Sequence, residues 1–385
     1  MIMLRSHRNA AYALVALLGV ALSGLVHAAA PMPAAPSVSS EGYLVQDYHS
    51  GRVLAEKNAD QRMEPASITK LMTAYVVFAE LQAGRLSVSD EVLISEKAWR
   101  MPGSRTFVEV GKRVPVEILL QGMIVQSGND ATVALAEHIA GGEDAFAALM
   151  NQQAVRLGLT ATHYVNSSGL PDPEHYTTAR DIATLTRALI RDFPEYYKYY
   201  SQREFAYNGI SQYNRNKLLW RDESVDGVKT GHTDSAGYCL VSSAERDGMR
   251  LISVVLQDRS EDARAASSQA LLNYGFRFFE TRKLYAADEA LKEARIWKGT
   301  QSELPLGLQD DLYATFPRGQ YAKLRASANF KPEIVAPADA GEEFGTLNVA
   351  LDGQVIAERP LVALQPVDEG SWWQQLSDSV VLWFE

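Results

Sequence analysis

Pro65-Ala66-Ser67-Ile68-Thr69-Lys70-Leu71-Met72-Thr73 is the stretch that decides how this chain is read. It sets a hydroxyl and an amine three residues apart, at the start of the apolar run 71–79. Residues at that spacing share a helix face, so the two groups can touch. A serine hydroxyl attacks only when a base takes its proton, and a lysine can be that base only when burial or a neighbouring cation lowers its pKa. The apolar run provides the burial. A lone Ser-x-x-Lys is unspecific, and its weight depends on partners elsewhere in the chain.

Those partners follow in order. Ser127-Gly128-Asn129 lies between the apolar stretch 118–125 and a helical pattern over 131–139. Lys229-Thr230-Gly231 comes third, ahead of Tyr238-Cys239-Leu240-Val241, which reads as a buried strand. Ser-x-x-Lys and Lys-Thr-Gly each occur once, and the second Ser-x-Asn, Ser327-Ala328-Asn329, falls out of order near the C-terminus. Competing chemistries lack their signatures. The seven histidines form no H-E-x-x-H, which argues against a zinc peptidase, and no serine sits in a G-x-S-x-G. No metal and no cofactor are expected.

In this order the three motifs resemble those of the penicillin-binding protein and serine β-lactamase superfamily. Within it, the chain is most similar to the low-molecular-mass D-alanyl-D-alanine carboxypeptidases of the penicillin-binding protein 5 type. The similarity is carried by the opening stretch and by Gln126-Ser127-Gly128-Asn129-Asp130-Ala131, Asn214-Arg215-Asn216 and Asp226-Gly227-Val228-Lys229-Thr230-Gly231-His232-Thr233. Gly275-Phe276-Arg277-Phe278-Phe279-Glu280 extends it. The resemblance implies an α+β catalytic domain, an antiparallel sheet flanked by helices, followed by a small all-β domain and a C-terminal amphipathic helix.

It also implies roles. Ser67 is the acylated nucleophile and Lys70 its base, with the charge of Lys229 helping to lower the Lys70 pKa. Ser127 relays a proton to the departing D-alanine, and Asn129 bonds the substrate amide or Lys70. Lys229, Thr230 and Gly231 pair with the substrate backbone from an edge strand. The N–H groups of Ser67 and His232 form the oxyanion hole, a role that suits His232 better than a Ser-His pair. Arg264 takes the free terminal carboxylate, with Arg215 and Thr230 as helpers and Arg259 as a neighbour able to substitute. The implied substrate is the peptidoglycan stem pentapeptide, and β-lactams are the implied covalent inhibitors.

The two ends speak to location. Arg5 and Arg8, the apolar core 10–22 and the small residues up to Ala28 read as a secretory signal over 1–28, with Pro31 arguing against a later cut. Its removal takes two arginines and moves the formal charge from −10 to −12, a balance that argues against nucleic acid as a partner. The single cysteine, Cys239, rules out an intrachain disulfide and reads as a packing residue. At the other end, Trp372, Trp373, Leu376, Val380, Trp383 and Phe384 recur at helical intervals opposite Gln374, Gln375, Ser377 and Asp378. This stripe is too short to span a bilayer and suits the headgroup boundary, although no lysine or arginine lies between Glu369 and Glu385. The expected location is periplasmic, peripherally attached to the outer face of the inner membrane.

Between the ends, 29–285 reads as the catalytic domain. It has a hairpin at 43–46 and 51–55, helices over 144–157 and 179–191, strands over 237–244 and 251–256, and a closing helix over 263–279. Short segments punctuated by Pro and Gly mark 286–366 as a small β-rich domain, and 367–385 as the amphipathic helix. The same motifs also serve a D,D-endopeptidase or a β-lactamase. A class A lactamase deacylates with a glutamate, but Glu174 lacks its surroundings. Asp181 matches a family position near the loop tied to deacylation, yet reads better as a helix-start acid. A catalytically inactive peptidoglycan-binding scaffold is the alternative from another class, and an intact trio with Arg264 argues against it.

Overall fold

The computed structural model describes residues 33–383, so the segment 1–28 read as a secretory signal and Phe384 of the amphipathic stripe lie outside the described residues. The described residues from Ala35 onward form one compact unit. Its centre is a five-stranded antiparallel sheet built from β1 (Gly42–Asp47), β2 (Val53–Lys57), β3 (Val225–Thr233), β4 (Gly237–Arg246) and β5 (Met249–Asp258). The strand order is β2-β1-β5-β4-β3, which leaves β3 and its Lys229-Thr230-Gly231 at an edge.

Period-two alternation in these strands sends side chains to two separate cores. Leu44, Cys239, Val241, Ile252 and Val254 enter the larger one, with the helices. Val45, Leu240, Ala244, Leu251 and Val255 enter the other, against Ala265, Leu271 and Leu272 of helix α5 (Glu261–Phe278). Cys239 is a free, buried thiol, as packing requires. α5 begins two residues before the expected start, after Ser260, whose hydroxyl caps it by accepting from the Ala263 N–H at 3.1 Å.

On the larger core's side lies α1 (Lys70–Gln82), with Leu71, Met72, Ala74, Val77 and Phe78 all buried. A helix apolar on nearly every face belongs in the interior. Around it pack α2 (Asn129–Ala140), α3 (Glu143–Arg156) and α4 (Ala179–Asp192), close to the expected positions.

The β-rich region has one strand more at its start than the sequence suggests. Residues 279–285, read as the catalytic domain's tail, form β6 (Phe279–Tyr285), which pairs with β9 (Leu312–Pro317). No Gly or Pro separates α5 from this strand, so the punctuation that marks a boundary is missing. The remaining strands are β7 (Lys292–Arg295), β8 (Glu303–Gly307), β10 (Leu324–Phe330), β11 (Glu343–Leu351) and β12 (Gln354–Ala363). They form a second antiparallel sheet in the order β7-β8-β12-β11-β10. β8 was not anticipated, since Pro305 interrupts its pattern.

Helix α6 (Trp372–Leu382) closes the described chain. Its polar face is tied down: Asp378 Oδ2 accepts from the Lys298 N–H at 2.6 Å, and the Gly370 N–H donates to the Lys298 carbonyl at 2.7 Å. Its apolar face is turned out, with Trp372, Trp373, Leu376, Val380 and Trp383 all more than half exposed. Among the described residues no helix is long and apolar enough to cross a membrane.

Candidate active site

Ser67 does not sit on an α-helix. It lies in a 3-10 turn, Ala66–Thr69, that feeds α1 at Lys70. Three residues per turn eclipse positions i and i+3 more closely than an α-helix does, and Lys70 Nζ comes to 3.0 Å from Ser67 Oγ. Ala66, just before the serine, holds a left-handed φ of 47°, uncommon for a residue with a Cβ. Two glycines let distant segments close on this turn. A Cβ on Gly231 would stand 2.9 Å from the Pro65 carbonyl oxygen, and one on Gly169 (φ 86°) would overlap the Ala66 carbonyl.

Lys70 is 1% exposed. Besides Ser67, its ammonium reaches Asn129 Oδ1 and the Ser168 carbonyl, each at 2.7 Å, which accounts for all three protons. Burial drives its pKa down to about 7, with the Arg215 charge adding to the effect. Near neutral pH the side chain is therefore present as amine as well as ammonium, and the amine can take the Ser67 proton. The sequence pointed to Lys229 as the cation acting on Lys70; the charge that adds to burial here is that of Arg215.

The second motif follows helix Val116–Gln121 and a π turn, Gly122–Gln126, that ends at Ser127 in the left-handed region (φ 68°). Such π turns recur at functional sites. Ser127 is buried, and its Oγ has no hydrogen-bond partner among the described residues. A buried polar atom left open calls for an explanation, and this one lines the cavity beside Ser67. Asn129 opens α2, and its Nδ2 donates to the Pro102 carbonyl at 2.7 Å, which fixes the oxygen on Lys70.

The third motif lies on β3, in register with β4: Lys229 opposite Val241, Thr230 opposite Leu240, Gly231 opposite Cys239. Lys229 is buried, and burial pushes its pKa well below the usual lysine value, helped by the charges of Lys70, Arg215 and Arg264. Arg264, from α5, is buried too, and its Nη1 donates to the Gly231 carbonyl at 3.0 Å. Arg215 is exposed, lines the same cavity, and has no carboxylate partner among the described residues. His232 is exposed, its ring packs against Tyr238 with centroids 4.1 Å apart, and both residues line the cavity beside Ser67.

A cavity of about 480 Å³ gathers Ser67, Ser127, Asn129, Arg215, Thr230, Gly231, His232 and Arg264, with Lys70 bonded behind the serine. Three other candidates fall away. Arg259 belongs to a different groove, beside Ser37 and Ala266. Asp181 Oδ2 accepts from the Ala161 N–H and the Thr162 hydroxyl and does not line the cavity, which fits the helix-start reading. Glu174 is exposed and outside the cavity. The sequence reading missed two walls: Gly103-Ser104, and Ser168-Gly169-Leu170. The turn-forming Asn166-Ser167-Ser168-Gly169 was the available signal for the second. Among the described residues no His, Cys, Asp and Glu group could hold a metal.

Known proteins are similar to this chain over most of its length. Residues 29–260 match the family model for D-alanyl-D-alanine carboxypeptidase, and 279–369 match that for the penicillin-binding protein 5 C-terminal domain. The D-alanyl-D-alanine carboxypeptidase DacA of Escherichia coli is 44% identical over 361 residues, covering 92% of this chain and 90% of its own. Penicillin-binding protein 5 from Haemophilus influenzae superposes with a TM-score of 0.85 at 41% identity, over 88% of this chain and all (100%) of its own. Penicillin-binding protein D2 from Listeria monocytogenes, solved in its ampicillin-bound form, matches at TM-score 0.59 and 32% identity, over 63% of this chain and 100% of its own. With its Ser-Lys pair, its edge-strand Lys-Thr-Gly and its β-rich C-terminal region, the chain belongs to the D-alanyl-D-alanine carboxypeptidase family of penicillin-binding proteins.

Proposed function

We propose that this protein is a serine D-alanyl-D-alanine carboxypeptidase that trims the terminal D-alanine from peptidoglycan pentapeptide stems through an acyl-enzyme on Ser67. One observation carries the reading: a buried lysine with its pKa lowered to about 7 lies 3.0 Å from the serine hydroxyl. Lys70 takes the Ser67 proton as Oγ attacks the carbonyl between the two D-alanines. The N–H groups of Ser67 and His232 receive the oxyanion. As the tetrahedral intermediate collapses, the C–N bond breaks and Ser127 relays the proton taken up by Lys70 to the departing amine, which returns Lys70 to the neutral amine. Water then hydrolyses the ester. Lys229 and Thr230 hold the substrate backbone, Asn129 keeps Lys70 aimed, and Arg264 with Arg215 receives the free carboxylate. β-Lactams acylate the same serine.

The reading extends to location. A signal over 1–28 exports the chain, the catalytic domain runs from 29 to the end of α5, the β-rich domain from β6 to 366 acts as a spacer, and the helix over 367–385 rests on the outer face of the inner membrane. The outward apolar face of α6 supports this attachment, since it leaves several tryptophans for the headgroup boundary. The test of the activity is incubation with a pentapeptide and with cross-linked dimers. Release of one D-alanine, with dimers neither made nor cut, is expected; dimer cleavage or formation at a comparable rate would replace the reading with endopeptidase or transpeptidase.

A further inference from the structure

The loop that supplies one of the Lys70 acceptors is fastened to the nucleophile's own turn by a histidine with no part in the scheme above. His175 is buried. The Val165 N–H donates to its Nδ1 at 3.2 Å, and its Nε2 lies 2.8 Å from Thr69 Oγ1. Because Nδ1 accepts, the ring proton belongs on Nε2 and is donated to Thr69. Between the two ends of this staple, the Ser167 carbonyl accepts from Thr73 Oγ1 at 2.6 Å and the Ser168 carbonyl from Lys70 Nζ at 2.7 Å. Asn166 Oδ1 accepts from the N–H groups of Ser168, Gly169 and Leu170, and Glu143 Oε1 holds the Ser167 N–H and hydroxyl. The loop is thus a stiff turn, and a shift at its fastening moves the Ser168 carbonyl with it.

We propose that His175 is a positioning residue for acyl transfer: the Val165–His175–Thr69 staple fixes the Ser168 carbonyl on Lys70 and keeps Gly169-Leu170 as a wall that excludes water from the lysine. This rests on the reading of Lys70 as the base for Ser67. The staple works only with a neutral ring, since a second ring proton would point at the Val165 N–H. The surroundings keep it neutral: burial lowers its pKa to about 4, with the charges of His163 and Lys70 acting in the same direction and Asp172 opposing. A histidine that merely packed, edge-on to Tyr164 at 5.6 Å, would affect stability and leave the chemistry of each folded site untouched.

The experiment is acylation by a fluorescent penicillin, its rate followed across pH and its end-point counting competent sites. His175→Phe keeps a ring and loses both hydrogen bonds; Thr69→Val removes only the hydroxyl and carries the test if the first variant does not fold. Each should lower the acylation rate per competent site by roughly 10–100-fold. Each should also move the acid limb of the profile to higher pH, as water reaches Lys70. The two effects should not add in the double variant, and His175→Gln, which can still donate to Thr69, should recover much of the rate. Unchanged rate and limb per competent site, with only the number of sites reduced, would overturn the proposal. A wild-type protein that takes no label on Ser67 would instead overturn the underlying reading.

Discussion

Lys70 Nζ stands 3.0 Å from Ser67 Oγ, at the end of a 3-10 turn that stacks the two residues directly. The same nitrogen is bonded to Asn129 and Ser168, so three segments distant from one another in sequence fix where the amine points. Burial has two consequences. It brings the amine form within reach of neutral pH, and it keeps water from competing for the serine proton.

The acylation rate should therefore follow the titration of Lys70. With a pKa near 7 in the free protein, kcat/KM is expected to fall about tenfold per pH unit on the acid side, well below that value. Lys70→Arg should lose at least about 10³-fold, since a guanidinium cannot act as a base at these pH values. A flat profile from pH 5 to 8, measured by penicillin acylation, would remove Lys70 from the role of base.

Carboxylate recognition should be separable from acylation. Arg264→Gln and Arg215→Ala should each weaken kcat/KM for a peptide with a free C-terminus by roughly 10–100-fold, the range for a lost charge-assisted bond. Both should change the rate for the corresponding C-terminal amide much less. Arg264 also holds the Gly231 carbonyl, so its substitution is expected to be the more damaging of the two.

Gly231→Ala tests the close approach between β3 and the nucleophile's turn. Its Cβ would press on the Pro65 carbonyl at 2.9 Å and on Ala66 Cβ at 3.2 Å. A cost of about 1–3 kcal/mol in stability is expected, as for other overpacked sites, measured by denaturant unfolding together with a fall in acylation rate.

The visibility of this site in the sequence followed from distance. Ser67 and Lys70 are three residues apart, Ser127 and Asn129 two, and Lys229 to Gly231 consecutive, so short motifs announced them. The loop at 165–175 could not be found that way, because its bonds to Thr69, Lys70 and Thr73 span about a hundred residues and use common polar side chains. The strands of the catalytic sheet were plain because each core takes alternate apolar residues. In the β-rich region β8 was hidden by Pro305, and β6 by its continuity with α5.

Stability should fall on mild acidification, in part through His175. Its folded pKa is lowered to about 4, so the contribution is fully present above the unfolded value of about 6.5 and is lost as pH falls from there toward 4. The total is on the order of 3 kcal/mol. Urea unfolding of His175→Gln should show a correspondingly flatter dependence between pH 6.5 and 4.

Membrane attachment through α6 predicts that Trp372→Ala with Trp373→Ala shifts the protein toward the soluble fraction in vesicle flotation. High salt should have little effect, because the helix carries no lysine or arginine. Equal flotation with and without residues 369–385 would refute the anchor.

The most direct test of the central claim is peptide mapping of the protein after exposure to benzylpenicillin. The account predicts one penicilloyl ester, on Ser67, absent from Ser67→Ala and formed far more slowly in Lys70→Arg. An adduct on any other residue, or one that persists in Ser67→Ala, would contradict it.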